Sequence, residues 1–255
     1  HVSAMMGNYV NKDKLPKSVC IVKTHNNLCT GTLIANDIII TAAHCVDKNH
    51  IKKPKKKLPI YVSCKKNRSI RAMTMTYPTT DLTQSSSYHT KDQALILDDQ
   101  GQPNQSLRRK WKYNNSDIAV LKLSKPVQKI TPQELIVTEE AAVDILTTAI
   151  FCGLYGAGQN NREEVGTING IDYNDVKSNL LPDQFLRSSG GYFFTNGKSQ
   201  GIRPGDSGGP LSCLLADGKW YLLSIHQNLA PTNNWKGRSR ATFKDELWIL
   251  DTIQD

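Results

Sequence analysis

The chain has 255 residues, enough for one large domain or two small ones, each able to bury a core. Its 32 basic and 23 acidic side chains leave a formal charge of +9, which favours acidic partners or an anionic surface. Hydrophobic residues make up 38%, and no apolar run approaches the roughly 18–20 residues that a bilayer-spanning helix needs, which excludes such a span. The opening HVSAMMGNYV has neither the charged region nor the apolar region of a signal peptide, so a leader has been removed or was never there.

In chain order, the first strand-like run is SVCIVKT (18–24), followed by NDIIITA (36–42) and PIYVSC (59–64). Val, Ile, Tyr and Thr suit a pleated, half-buried surface, and the Asn, Asp, Gly and Pro between runs supply turns. Two polar stretches interrupt the pattern: DKNHIKKPKKK (47–57) is lysine-dense, and TTDLTQSSSYHTKDQ (79–93) is rich in Ser and Thr. Both are expected to be exposed surface loops. DIAVLKL (117–123) reads as a strand, and SKPVQKITPQELIVTEEAA (124–142), with Pro126 and Pro132, as a connector between two β units. GGYFFTN (190–196) and KWYLLSIH (219–226) are further strands. KDELWILDTIQ (244–254) places Leu247, Leu250 and Ile253 at helical spacing with acids in the first turn, which predicts a C-terminal helix. Many short strands with turn residues between them, and no internal repeat, imply a barrel or sandwich architecture.

The six cysteines are Cys20, Cys29, Cys45, Cys64, Cys152 and Cys213. No C-x-x-C occurs, which argues against a zinc ribbon or a thioredoxin-type motif. Wide, even-numbered spacing suits three disulfides in an oxidising compartment, the other reading being six buried thiols.

Three motifs carry chemistry. GDSGGP (205–210) sets Ser207 among glycines that permit sharp turns and close backbone approach. A rigidly held hydroxyl beside free backbone N–H groups is what an acyl-transfer nucleophile needs, provided a base lies near. TAAHC (41–45) places His44 just past an apolar strand, and NNSDIAVLKL (114–123) places Asp117 at the head of another. Taken singly, His44 reads as a packed or solvated histidine and Asp117 as a turn cap.

Together these pieces resemble the trypsin/chymotrypsin family of serine proteases, with a histidine in the glutamyl endopeptidase manner at position 226. CTGTLIANDIIITAAHC (29–45) is similar to the stretch leading to that family's catalytic histidine, NNSDIAVLKL to its aspartate segment and GDSGGPLSC (205–213) to its nucleophile loop. The order His, Asp, Ser is also the family's. The resemblance covers the core of both halves and lapses over 46–113 and 159–200. It implies an all-β fold of two six-stranded antiparallel Greek-key barrels with a C-terminal helix, residues 1–130 forming the first unit and 131–255 the second. It implies disulfides Cys29–Cys45 and Cys152–Cys213; Cys20 and Cys64 remain and are taken as the third. The family's further bridge beside the specificity pocket is missing, because Arg203 stands at its first position.

By the same resemblance Ser207 attacks the scissile carbonyl, His44 relays the proton, Asp117 orients the imidazole, and the N–H groups of Gly205 and Ser207 form the oxyanion hole. Asp206 matches the carboxylate that pairs with the amino group freed on zymogen cleavage. His1 departs from the family's usual start, so another start serves, Asp206 has another partner, or this form is not fully activated. Gly201 stands at the pocket base, where trypsin-like enzymes carry an aspartate, which argues against cleavage after Lys or Arg. His226, with Arg238 and Arg240 on the next strand, would favour an acidic residue before the cut. A small or apolar preference stands beside that reading. Asn228 replaces an expected tryptophan at the pocket entrance.

Lys52, Lys53, Lys55, Lys56, Lys57, Lys65, Lys66, Arg68 and Arg71 supply a basic surface on the first unit, with a second cluster at Arg108, Arg109, Lys110 and Lys112. They are either a solvated face or a weak attraction for polyanions, without a nucleic-acid motif. Asn67, Asn104 and Asn114 begin N-x-S sequons. No metal or cofactor is expected. The expected partner is a protein or peptide substrate of a monomeric, secreted or periplasmic endopeptidase. The competing classes are a catalytically idle homologue that binds a partner and a polyanion-binding module.

Overall fold

The structure is a computed structural model that describes residues 9–24, 28–46, 59–64, 69–78, 85–89, 117–158, 167–175, 192–194, 202, 205–229, 237–245, 249, 250 and 253. The first sheet contains β1 (Val19–Lys23), β2 (Leu28–Ala35), β3 (Ile38–Thr41), β4 (Tyr61–Cys64), β5 (Ile70–Pro78), β6 (Ser85–His89) and β7 (Ala119–Leu123). Its order is β4-β1-β2-β3-β7-β5, and a β4–β5 pairing closes these six strands into a barrel; β6 is added outside β5. The Ser/Thr-rich stretch at 79–93, expected as a loop, therefore contributes a strand, because its residues 85–89 pair in register with 74–78 of β5 in an antiparallel ladder. The lysine-dense stretch at 47–57 lies outside the described residues.

The second sheet contains β8 (Glu134–Leu135), β9 (Phe151–Gly156), β10 (Asn169–Asp172), β11 (Tyr192–Phe194), β12 (Pro210–Leu214), β13 (Trp220–Leu229) and β14 (Gly237–Ala241). Six of them run in the order β10-β9-β12-β13-β14-β11, and β8 lies parallel to β13. Among the described residues no pair joins β10 to β11, so this half is seen as a six-stranded antiparallel run with one parallel addition.

The run Ile38-Ile39-Ile40 shows how the halves meet. Side chains alternate along a strand, so Ile39 enters the interior of the first barrel with Leu33, Val62 and Leu121. Ile38 and Ile40 point the other way and pack with Val120, Leu222, Ile225 and Ile249 across the seam between the sheets. A strand buried on both faces reads as an unbroken apolar run, which is why this one lacks polar alternation. Ile249, from the C-terminal segment where residues 249, 250 and 253 are helical, closes that seam. The second interior holds Leu154, Leu211 and Leu223 under helix α1 (Glu139–Thr148), which contributes Ala142 and Ile145.

That helix begins inside the stretch read as a connector. Thr138 caps it by accepting the Ala141 N–H at 3.1 Å, with Glu139 and Glu140 in the first turn. The prolines lie upstream of the cap and do not oppose it.

Before the helix, the connector is fastened to both sheets. Val127 N–H donates to Asn36 O at 2.7 Å, Gln133 N–H to Leu33 O at 2.9 Å, and Ile136 N–H to Leu222 O at 3.2 Å. The buried Gln133 side chain also donates to Ser18 Oγ at 3.1 Å and accepts from Ser212 Oγ at 2.6 Å, so one amide satisfies a hydroxyl from each half. All six cysteines are paired, as Cys20–Cys64 between β1 and β4, Cys29–Cys45 between β2 and the turn after β3, and Cys152–Cys213 between β9 and β12.

Candidate active site

His44 and Asp117 come from neighbouring strand ends. In the β3–β7 ladder Thr41 faces Ala119; the chain then turns into a helical segment at 43–46, while Asp117 lies just before β7 on the same side. His44 Nδ1 meets Asp117 Oδ2 at 2.5 Å, and Asp117 Oδ1 accepts the His44 backbone N–H at 2.8 Å. Their side chains are 20% and 18% exposed, so the pair is mostly buried but keeps some contact with solvent.

Ser207 lies on the turn 205–208, between β11 and β12 in the chain. Gly205 (φ 100°) and Gly208 (φ 81°) adopt left-handed backbone that a residue with a Cβ takes only under strain. A Cβ on Gly208 would also run into Thr41 Oγ1 and the Thr30 carbonyl. The turn is tied down by Gly209 N–H to Asp206 O at 2.9 Å, Gly208 N–H to His226 O at 2.7 Å and His226 N–H to Gly209 O at 2.8 Å. Across the seam, Thr30 N–H donates to Ser207 O at 2.8 Å.

The Ser207 hydroxyl makes no hydrogen bond to His44 in this arrangement. The two are neighbours through a third group: Cys45 Sγ lies 3.8 Å from His44 Nε2 and 3.6 Å from Ser207 O. Cys29, His44 and Cys45 bring potential metal-ligand atoms within 4.8 Å of one another. Both sulfurs belong to the disulfide and offer no thiolate, so the cluster does not suit a metal. Among the described residues, no acceptor meets the N–H of Gly205 or of Ser207.

Asp206 is fully buried and accepts the Gly158 N–H at 2.9 Å. Its expected partner at His1 lies outside the described residues, as do Gly201 and Arg203. Arg238 and Arg240 lie on β14, where Asn228 pairs with Arg238 and Ile225 with Arg240 in the backbone register. His226 stands opposite Ser239 in the same ladder, with no exposed surface, and its Nδ1 is 2.6 Å from Ser239 Oγ. Burial pushes its pKa down to about 3, opposed in part by the Tyr155 backbone, so the ring is neutral near pH 7. Its Nε2 is buried and makes no hydrogen bond among the described residues.

Sequence reasoning passed over Thr30 and Thr41. Both are fully buried and bonded at the seam, with Thr41 Oγ1 donating to Thr30 O at 2.6 Å and Thr30 Oγ1 to Gly205 O at 3.0 Å. A threonine inside a strand run signals only β propensity, and nothing local marks where its hydroxyl goes.

The sequence profile of the family described as Trypsin matches residues 7–227. A solved structure, HL collagenase, superposes with a TM-score of 0.59 at 15% identity, covering 100% of this chain and 99% of its own. At that identity the likeness speaks to the fold, a chymotrypsin-like pair of β units. No curated protein sequence matches the chain.

Proposed function

Because the chain belongs to the trypsin family of serine endopeptidases, we propose that it cleaves peptide bonds through an acyl-enzyme on Ser207, with His44 as the base and Asp117 as its orienting acid. The observation that carries this reading is the pair of hydrogen bonds between Asp117 and His44, one to the backbone N–H and one to Nδ1, which leaves Nε2 as the ring nitrogen available to Ser207. The Ser207 hydroxyl transfers its proton to Nε2 as Oγ bonds to the carbonyl carbon. The same proton then goes to the departing amine, and water repeats the sequence to release the acid. Charge on the carbonyl oxygen arises only in the transition state, so the Gly205 and Ser207 N–H groups lower the barrier rather than tighten substrate binding. Catalytic hydrogen bonds are commonly long before substrate binds, and the Ser207–His44 bond forms on engagement.

Labelling by a peptidyl phosphonate tests the assignment. Stoichiometric modification of Ser207, with activity lost in S207A, supports it; proteolysis that survives S207A overturns it in favour of an idle homologue.

The preference before the cut is read as acidic. His226 Nε2 is a buried polar atom without a hydrogen-bond partner among the described residues, and a substrate carboxylate that displaced the groups covering it would satisfy that atom and draw a proton onto the ring. A small or apolar preference is the competing outcome. Cleavage profiling of a peptide library decides between them, and dominant cleavage after Lys or Phe excludes both. Three disulfides suit an oxidising compartment, secreted or periplasmic.

Polyanion attraction is supported by one row of the first barrel. Lys23, Tyr61 and Arg71 lie in register across β1, β4 and β5, all on the exposed face. K23E/R71E should then elute earlier from heparin than the parent protein, and identical elution would remove this row from consideration.

A further inference from the structure

Thr30 sits on β2, in the half that carries His44, yet it bonds mainly to the other half. Its N–H donates to Ser207 O at 2.8 Å. Its hydroxyl accepts the Ala157 N–H at 2.7 Å and donates to Gly205 O at 3.0 Å. Its own carbonyl accepts from Thr41 Oγ1 at 2.6 Å. The side chain is fully buried, so water competes for none of these bonds.

A hydroxyl has one proton and two lone pairs. Ala157 N–H can only donate, so it takes a lone pair, and the Thr30 proton is left to point at Gly205 O. The two carbonyls that Thr30 holds belong to the Gly205–Asp206 and Ser207–Gly208 peptide groups, which flank the Asp206–Ser207 peptide carrying the Ser207 N–H, one of the two read above as oxyanion donors. Gly205 has left-handed backbone and no side chain to restrict it, so its orientation depends on what its peptide groups bond to.

We propose that Thr30 is a positioning residue for the nucleophile loop: its hydroxyl and N–H pin, from the opposite barrel, the peptide groups on either side of the one that carries the Ser207 N–H, and so hold the turn in the shape that presents the oxyanion donors. The proposal rests on the reading of Ser207 as nucleophile. Thr30 touches no reacting atom; it acts by keeping donors in place before charge develops, the condition under which such donors are most effective.

The test compares T30V, which keeps the shape and removes the hydroxyl, with T30S, which keeps the hydroxyl. For T30V, kcat should fall roughly 10- to 100-fold with KM nearly unchanged, since small misplacements of a catalytic group cost up to about 10²-fold. T30S should stay within about threefold of the parent. A peptide boronate, which becomes a tetrahedral anion on Ser207, should lose affinity for T30V by the same factor as kcat, while the product peptide keeps its affinity. A merely structural role would lower thermal stability without separating boronate from product.

Three results overturn the proposal: T30V with kcat within about threefold of the parent, T30S as impaired as T30V, or equal losses for boronate and product. If T30V does not fold, T30A lacks the same hydroxyl and is read by the same criteria. S207A separates the two levels: if it still cleaves, the nucleophile reading and this one fall together; if it is inactive and T30V matches the parent, only the role of Thr30 falls.

Discussion

Asp117 grips His44 at two points, the ring Nδ1 at 2.5 Å and the backbone N–H at 2.8 Å. One bond sets the tautomer and the other sets where the residue stands. D117N keeps the size and can still accept from the backbone, but its amide can present a donor to Nδ1 and so favour the wrong tautomer. The expected result is a fall in kcat of roughly 10³–10⁴-fold with folding intact. Steady-state kinetics with a far-ultraviolet spectrum check it; a loss under tenfold would mean that Asp117 does not orient the base.

Gly208 lies next to the nucleophile at φ 81°, with Thr41 Oγ1 and the Thr30 carbonyl where a Cβ would go. Those neighbours are a buried, bonded side chain and backbone, so neither yields cheaply. G208A should displace the turn and slow phosphonate labelling of Ser207 by about 10²-fold or more. Labelling at the parental rate would show that the loop tolerates a side chain there.

His226 links stability to acidity. Its folded pKa is pushed down to about 3, against 6.5 for an unperturbed histidine. Between those values the unfolded chain binds the proton and the folded chain does not, so falling pH favours unfolding. The contribution is fully present above about pH 6.5 and is lost as pH drops toward about 3, with a slope of up to about 1.4 kcal/mol per pH unit. H226Q removes the titrating group. Urea unfolding of both proteins from pH 7 to 4 should show a flatter acid limb for the variant, and parallel curves would mean that the ring is solvated.

The Cys20–Cys64 disulfide joins β1 to β4 over a separation of 44 residues, in the first barrel. Closing a loop of that length restricts the unfolded chain by roughly 4 kcal/mol on the chain-entropy account. C20A/C64A should lose stability of that order in chemical denaturation, yet keep the parental kcat at low temperature, because the disulfide bridges β1 and β4 while His44, Asp117 and Ser207 lie on other elements. A fall in kcat in a folded sample would tie the far side of the barrel to the chemistry.

The family and the meeting of His44 with Asp117 were more legible in the sequence than the framework around them. His44, Asp117 and Ser207 stand out only together, through three motifs in one order, and His44 and Asp117 do meet in space. The short strands at 18–24, 36–42, 59–64 and 117–123 were visible because branched side chains cluster between turn formers. Helix α1 was hidden by Pro126 and Pro132, which colour the whole stretch although the helix starts only after Thr138. Strand β6 was hidden because its residues carry little apolar signal; the partner strand, not its own composition, recruits it. The burial of His226 could not be read from KWYLLSIH, since one ladder partner and the packing above it decide whether a strand-end histidine meets solvent. Hydrogen bonds between residues as distant as Thr30 and Gly205 leave no periodic trace at all.

The Gln133 amide, shared between Ser18 and Ser212, bears on how this molecule can move. A tether free at its middle would let two lobes swing; one stitched first to Asn36 and Leu33, then to Leu222, passes any displacement of one lobe straight to the other. Adjustment to different substrates must therefore come from side chains and rim loops, and a nick in this stretch would release two fragments with torn polar seams rather than two working halves.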